Sequence, residues 1–173
     1  MSVINYSRGA NKYDNRPIQM SSDSFEEFQE AILSDRSSEK GKTYICSTFA
    51  SGPHINDPIK YPGEKTWRLS CYVQPRNFLA FDFDGFESAE KFSQVMSYLD
   101  KFKGFGYTTA SHTQEFPRAR AIIALNKYVS RDEGIKLGEQ LQQELLERFG
   151  VGSIKFDDSV YRGEQPIYTP VTN

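Results

Sequence analysis

An apolar stretch that carries two aspartates, FLAFDFDGFES at residues 78–88, is the feature that most restricts how this chain can fold. Alternate side chains of a β-strand point to opposite faces, so Asp82 and Asp84 share one face while Phe81 and Phe83 share the other. Two carboxylates beside an apolar sheet cost free energy unless something neutralises them. The stretch therefore predicts a strand with one buried apolar face and one carboxylate face that needs a partner.

Helical and extended patterns alternate on both sides of this strand. Helices are predicted over residues 21–35, 88–102 and 130–150; the first opens with serine and aspartate caps, and the last ends at Gly150. Strands are predicted over TYICSTFA, over two segments of TWRLSCYVQPRNFLAFDFD joined by a turn at 74–77, and over GFGYTTASHT and RARAIIALNKYV. This order predicts an α+β fold with a central, mainly antiparallel sheet flanked by helices.

Length and composition predict one folded domain over residues 1–173, with the polar residues 1–20 as an N-terminal arm or an edge strand. The net charge of -2 gives no global basic field. Cys46 and Cys71 lack metal-ligand spacing and are interpreted as thiols in a reducing cytoplasm. No signal core and no apolar run of about 18 residues occurs. We therefore expect a cytoplasmic protein without a membrane partner.

Three aspartates could form a metal site. Neighbours on one face of a strand have β-carbons about 7 Å apart, so Asp82 and Asp84 can bracket a hard cation, and two Mg²⁺ or Mn²⁺ ions about 4 Å apart support nucleotidyl transfer. Asp157, in IKFDDS, is the candidate for a third carboxylate, with Asp158 as its rival. The alternatives are a solvated strand end for the first two aspartates and an Asx turn for the third.

A phosphate site is the second candidate. YTTASHT ends where a strand meets a loop, and PRAR follows closely. His112 and the hydroxyls of Ser111 and Thr113 can donate to phosphate oxygens. Arg118 and Arg120 alternate onto one face of the next predicted strand, and two guanidiniums on one face suit a polyphosphate. The alternatives are an ordinary surface histidine and a solvated strand edge.

These stretches, in this order, resemble the archaeo-eukaryotic primase superfamily, and in particular the primase–polymerase domains of phage and plasmid replication proteins. The resemblance runs from about Arg68 to Pro170 and includes TTASHT, the following Pro and Arg, and GEQPIYTP. It implies a primase–polymerase (RRM-like) catalytic core, with two Mg²⁺ or Mn²⁺ ions held by Asp82, Asp84 and Asp157.

The same resemblance implies a template-directed DNA primase or polymerase of a phage or mobile element, which uses NTP or dNTP and a single-stranded DNA template. His112 would contact the triphosphate, with Arg118 and Arg120 as further phosphate ligands, and Arg68, Arg162 and Gln165 are the template candidates. Many relatives continue into a helical primase domain or a helicase, so we expect either an excised domain or a minimal enzyme. Primer extension is expected more strongly than de novo priming.

Two other functions fit parts of the sequence. FLAFDFDG resembles the first motif of haloacid-dehalogenase-like phosphatases, but some 80 residues precede it and Phe86 stands where that family usually has threonine. A catalytically silent module that binds single strands through Tyr61, Trp67 and Tyr72 is the other alternative. Under the metal hypothesis, Asp82→Ala or Asp84→Ala should abolish turnover and leave the fold intact or slightly more stable.

Overall fold

The computed structural model describes residues 3–39 and 41–172, which form two four-stranded antiparallel sheets, a short hairpin and three helices. The strands are β1 (Ile4–Gly9), β2 (Ile18–Ser22), β3 (Tyr44–Cys46), β4 (Ser51–Gly52), β5 (Lys65–Thr66), β6 (Arg76–Phe86), β7 (Gly104–Thr108), β8 (Ala119–Val129), β9 (Ile154–Asp157) and β10 (Ile167–Tyr168). The first sheet has the order β10-β3-β1-β2 and the second β7-β8-β6-β9, while β4 pairs with β5. The predicted α+β class is confirmed, with the strands divided between two sheets.

The three helices are α1 (Phe25–Ser34), α2 (Ala89–Leu99) and α3 (Arg131–Phe149). Each begins after a serine whose hydroxyl accepts a backbone N–H of the first turn; the caps are Ser24, Ser88 and Ser130. Glu133 completes a capping box on α3, and Gly150 ends that helix with a φ of 105°. The helices predicted from the sequence are confirmed to within a few residues.

The core joins the two sheets through aromatic side chains. Phe28 of α1 is fully buried, with its ring centroid 4.9 Å from Tyr6 on β1 and 5.2 Å from Phe78 on β6. Phe81 and Phe83 are also fully buried, on the face of β6 that the alternation predicts. The apolar face of β6 therefore lies in the core and leaves its other face for polar groups.

Two local predictions were wrong. Residues 4–9 are neither an arm nor an edge strand, because β1 lies inside the first sheet and pairs with both β2 and β3; β2, which begins at Ile18, is an edge strand. The predicted turn at 74–77 contains the start of β6, and a 3₁₀ turn over Ser70–Tyr72 replaces the preceding strand. Long-range pairing decides both cases, and a local pattern does not report it. Within the described part of the chain, no helix has the length and apolar character needed to cross a membrane.

Candidate active site

Four side chains form a row across the second sheet. Successive cross-strand partners are Tyr107 on β7, Arg120 on β8, Asp82 on β6 and Asp157 on β9. Directly opposed residues of antiparallel strands share a face, with β-carbons about 5 Å apart. This cross-strand row therefore brings together two of the three predicted carboxylates and one of the predicted arginines.

Asp82 and Arg120 form a buried ion pair at the centre of the row. Arg120 donates from Nε at 2.9 Å and from Nη2 at 2.6 Å, both to Oδ2 of Asp82. Each residue is 7% exposed. Burial raises the pKa of Asp82 against the opposing effect of Arg120, and the charges of Asp84 and Asp157 raise it further. Asp82 therefore lies in a field of like charge that Arg120 partly offsets.

The second oxygen of Asp82 has a different environment. Oδ1 is buried and has no hydrogen-bond partner among the residues that the structure describes. Buried polar atoms in proteins are nearly always satisfied, so an orphaned carboxylate oxygen needs an explanation. This oxygen is the feature of the site that most strongly indicates that the site binds a ligand.

The backbone carbonyl of Tyr168 closes one side of the row. It accepts from Arg120 Nη1 at 3.3 Å and from the Tyr107 hydroxyl at 2.8 Å. Burial raises the pKa of Tyr107, so the phenol stays protonated and can donate. Because Tyr168 belongs to β10, the first sheet supplies an acceptor to the site on the second.

Asp84 lies beside the row at an irregularity of β6. The register between β6 and β9 shifts between Phe83 and Gly85, as in a β-bulge, which redirects a side chain. The Asp84 side chain is 41% exposed, and its Oδ1 lies 3.9 Å from Nη1 of Arg118. Asp84 is thus a partly solvated carboxylate with a weakly held cation next to it.

Asp157 and its rival Asp158 have different positions. Asp157 ends β9 opposite Asp82, and its Oδ1 accepts from the backbone N–H of Ser159 at 3.0 Å. Asp158 is exposed and begins the 3₁₀ turn Asp158–Tyr161. The Asx-turn alternative is therefore correct for Asp157, yet the same residue is also the carboxylate that faces Asp82 across the strands.

His112 lies in the loop between β7 and β8 with its ring fixed. Its Nδ1 lies 3.1 Å from the backbone N and 3.2 Å from the carbonyl O of Arg118, and its ring centroid lies 5.8 Å from Phe92. Nδ1 accepts from the first or donates to the second according to the tautomer. No described residue is hydrogen-bonded to Nε2, which leaves that nitrogen for a ligand.

Ser111, Thr113 and Arg68 differ in their exposure and in the hydrogen bonds that they make within the protein. Ser111 and Thr113 are exposed, and the Thr113 hydroxyl accepts from Phe116 N within the loop. Arg68 donates to the carbonyls of Asp14 and Glu164 at 3.1 and 3.2 Å, which gives it a structural role.

Two template candidates lie near the end of the chain. Arg162 is exposed and its Nε donates to Ser159 O at 3.4 Å. Gln165 is half-buried, and its backbone N–H donates to Arg162 O. Exposure leaves Arg162 the more accessible of the pair.

Most of the aromatic side chains that were proposed to bind single-stranded nucleic acid contact other residues of the protein. Trp67 is 1% exposed, and its ring contacts His54 and Tyr61. Tyr72 donates to Pro53 O. A buried tryptophan offers no face to a base, so this cluster is mainly a packing unit.

The donor atoms suit a hard divalent cation, although they do not form a ready-made cage. Within residues 3–39 and 41–172, no group of three or more His, Cys, Asp or Glu side chains is arranged to hold a metal ion. The available donors are nonetheless carboxylate oxygens, which Mg²⁺ and Mn²⁺ prefer, and one of them is the orphaned Oδ1 of Asp82. The chemistry of these residues fits the metal hypothesis, and the fit rests on that oxygen.

Sequence reasoning missed two members of the site. Tyr107 was recognised only as part of a strand, although its register with Arg120 follows from the alternation of β7 and β8. Tyr168 contributes a backbone carbonyl, which leaves no side-chain signal in the sequence. Arg120 was predicted as a phosphate ligand, and in the structure its guanidinium donates to Asp82 and to the Tyr168 carbonyl.

No family model and no curated protein sequence matches this chain. Among solved structures, the polymerase domain of Ligase D from Mycobacterium tuberculosis, in complex with DNA, is similar over 96% of this chain and 57% of that chain. The TM-score is 0.46 and the sequence identity is 16%. The present chain thus spans somewhat more than half the length of that one.

Proposed function

We propose that this chain is a template-directed nucleotidyl transferase of the DNA primase or polymerase type, acting on nucleoside triphosphates. The observation that carries the proposal is the buried, unpartnered Oδ1 of Asp82 beside two further carboxylates. Negative charge gathered on one sheet face would repel a polyanionic substrate unless cations lay between them. A site for a triphosphate with divalent cations explains both the carboxylates and the orphaned oxygen.

Asp82, Asp84 and Asp157 would hold two Mg²⁺ or Mn²⁺ ions. Such ions, when bound, supply charge neutralisation of the triphosphate and activation of the attacking 3′-hydroxyl. The protein's own contribution is to hold the carboxylates of Asp82 and Asp157 close together, which the opposed register of β6 and β9 supports. Asp157 is preferred to Asp158 because it faces Asp82 across the strands.

The triphosphate would lie between His112 and Arg118. Nε2 of His112 has no partner among the described residues and would donate to a phosphate oxygen when protonated, and the Arg118 side chain is 39% exposed with only a distant partner in Asp84. Charge-assisted hydrogen bonds from a guanidinium suit phosphate oxygens. The hydroxyls of Ser111 and Thr113 lie in the same loop and would add donors.

The template would lie on the side of Arg162 and Gln165, of which Arg162 is exposed. Arg68 would support the template only indirectly, by holding the backbone carbonyls of Asp14 and Glu164 in place. By its resemblance in sequence, the chain would serve replication of a phage or plasmid in the cytoplasm, beside a helicase or a helical primase domain. Extension of a primer on single-stranded DNA is its proposed core activity.

The decisive experiment is incorporation of NTP or dNTP on a primed single-stranded template, with Mg²⁺ or Mn²⁺, and in parallel without primer. Asp157→Asn should reduce incorporation by at least about a hundredfold, the scale of losses when charge stabilisation at a reacting centre is removed. Asp158→Asn, one residue away and exposed, is the matched control and should stay near the wild-type rate. Absence of incorporation by the wild-type chain with either metal would refute the proposal.

The phosphatase alternative is weakened by the environment of Asp82. In that mechanism the first aspartate attacks phosphorus, so it must reach the substrate. Here Oδ2 of Asp82 accepts two hydrogen bonds from the Arg120 guanidinium, which lower the nucleophilicity of that oxygen. Hydrolysis of a generic phosphomonoester by the wild-type chain, lost in Asp82→Asn, would restore this alternative.

A further inference from the structure

We propose that Arg120, anchored by the carbonyl of Tyr168, is a positioning residue that presents the free Oδ1 of Asp82 to the cations of the site. This inference rests on the proposed function and deepens it. It assigns Arg120 to the carboxylate side of the reaction rather than to the triphosphate. It also gives β10 a part in the site that no side chain of that strand reveals.

Other arginine–carboxylate pairs in the chain provide the comparison. Arg8 binds Asp35 from Nε to Oδ2 at 2.7 Å and from Nη2 to Oδ1 at 2.8 Å. Arg131 binds Glu164 in the same way, with Nε on Oε2 at 2.9 Å and Nη2 on Oε1 at 2.6 Å. Both pairs use two donors on two oxygens, which is the usual fork geometry of a stabilising ion pair.

Arg120 departs from that geometry where the pair is most deeply buried. Both of its donors converge on Oδ2 of Asp82 and leave Oδ1 without a partner among the described residues. An unsatisfied buried oxygen costs about 1–3 kcal/mol, and more when the group is charged. The other two pairs satisfy both oxygens of their carboxylates with two donors. The observed geometry of Arg120 instead leaves one buried oxygen of Asp82 without a hydrogen bond.

The guanidinium is oriented by a second contact. Nη1 of Arg120 donates to Tyr168 O, the same carbonyl that accepts from the Tyr107 hydroxyl. Three N–H directions of one planar group are thereby fixed, two on Asp82 and one on β10. Lysine has a single ammonium on a flexible stem and cannot reproduce this arrangement.

The charges around the pair explain why an orienting cation is required. Asp84 and Asp157 both act on Asp82 from β6 and β9, while Arg118 lies 3.9 Å from Asp84. Without Arg120, the carboxylates of Asp82, Asp84 and Asp157 would keep only Arg118, which precedes β8 and lies beside Asp84, as the cation described above. Asp82 would then turn toward whichever donor was available, and Oδ1 would lose its fixed position.

The test compares Arg120→Lys with Arg131→Lys, a substitution in a fork pair that lies outside the row. Binding of Mn²⁺ alone is measured by the loss of the free-ion signal in electron paramagnetic resonance, and stability by urea unfolding. We expect Arg120→Lys to bind Mn²⁺ at least about tenfold more weakly, the usual effect of removing a residue that orients a metal ligand. Arg131→Lys should lose stability and keep its Mn²⁺ affinity.

A second variant leaves both residues of the ion pair unchanged. Tyr107→Phe leaves the ion pair intact and removes one of the two hydrogen bonds to the Tyr168 carbonyl. Weaker Mn²⁺ binding, by about two- to fivefold against the tenfold scale above, is the expected result. This variant also tests the inference if Arg120→Lys does not fold. Wild-type Mn²⁺ affinity in the variants that fold would overturn the inference.

Failure of the inference and failure of the proposed function give different results. Suppose that the wild-type chain incorporates nucleotides, and that folded Arg120→Lys does so equally well and binds Mn²⁺ with wild-type affinity. Only the role of Arg120 is then refuted, and the proposed function stands. If the wild-type chain binds Mn²⁺ but incorporates nothing, the proposed function falls while the Mn²⁺ comparison still tests Arg120. If the wild-type chain binds no Mn²⁺ at millimolar concentration, both fall.

Discussion

Nη2 of Arg120 lies 2.6 Å from Oδ2 of Asp82, in an ion pair from which solvent is almost wholly excluded. Asp82 therefore serves the fold as well as the proposed chemistry, because its removal leaves a buried guanidinium without a counter-ion. The sequence led us to expect that loss of this aspartate leaves stability unchanged or improved; the buried ion pair leads us to expect the opposite.

We predict that Asp82→Asn lowers the free energy of unfolding by about 3 kcal/mol, the usual cost of removing one partner of a buried ion pair. Asp84→Asn, at a half-exposed carboxylate, should change it by less than about 1 kcal/mol. Urea unfolding measures both variants. Equal stabilities of the two would show that Arg120 does not depend on Asp82.

Gly134 and Gly138 of α3 should respond in opposite ways to alanine. A β-carbon at Gly138 would lie 2.5 Å from the Tyr161 ring, whereas at Gly134 its nearest neighbour would be at 3.7 Å, an ordinary contact. Gly138→Ala should destabilise by about 1–3 kcal/mol through overpacking, and Gly134→Ala should stabilise by up to about 1 kcal/mol through helix propensity. Thermal unfolding of the two variants checks the difference in sign.

The Arg131–Glu164 pair predicts how stability falls in acid. Burial raises the pKa of Glu164, but the hydrogen bonds from Arg131 and from its own backbone outweigh burial and hold the pKa below its ordinary value. A carboxyl group with a lowered folded pKa contributes stability above its unfolded pKa of about 4.3, and that stability is lost as pH falls through the folded pKa. Glu164→Gln should therefore cost about 1–2 kcal/mol at pH 7.

Denaturant unfolding of wild type and Glu164→Gln at pH 7, 4 and 2.5 measures this contribution. The difference between the two should shrink through the acid range and nearly vanish at the lowest pH. A difference that stays constant with pH would mean that packing of Glu164, and not its charge, stabilises the fold.

Arg118→Gln should act on nucleotide binding more than on stability. The side chain is 39% exposed and its ion-pair distance to Asp84 is 3.9 Å, so little folding energy depends on it. We expect the KM for the triphosphate to rise by about tenfold, as for loss of a charge-assisted hydrogen bond. Lys127→Gln, at an exposed cation of β8, the strand that Arg118 precedes, is the control and should leave the KM unchanged. Steady-state primer extension at varied nucleotide concentration separates KM from kcat.

The local elements of this fold could be predicted from the sequence because their signals are local. Serine caps and Gly150 bound the helices, and the alternation of Phe81 and Asp82 gives the two faces of β6. The convergence of Asp82 with Asp157 was expected from motif order, although only the register of β6 with β9 supplies the geometry.

The rest depended on contacts between distant segments. β1 reads as polar because Asn5 and Ser7 alternate with its apolar residues, and its place inside a sheet follows from pairing on both edges. Arg68 and Arg120 read as free cations, yet backbone carbonyls from other loops and strands bind them. Tertiary packing decides which arginines bind groups of the protein itself and which stay accessible to a ligand, and residue type alone does not indicate this.

The carbonyl of Tyr168 also makes the site depend on strands that are far apart in the sequence. The second sheet pairs within residues 76–157. The first sheet joins Ile4–Gly9 to Tyr44–Cys46 and, through them, to Ile167–Tyr168. The ion pair of Arg120 with Asp82 is made within the second sheet, whereas the third acceptor of Arg120 comes from the first. Local opening of β10 would therefore leave the ion pair in place and release one N–H of the guanidinium, so the orientation of Arg120 would depend on an intact first sheet.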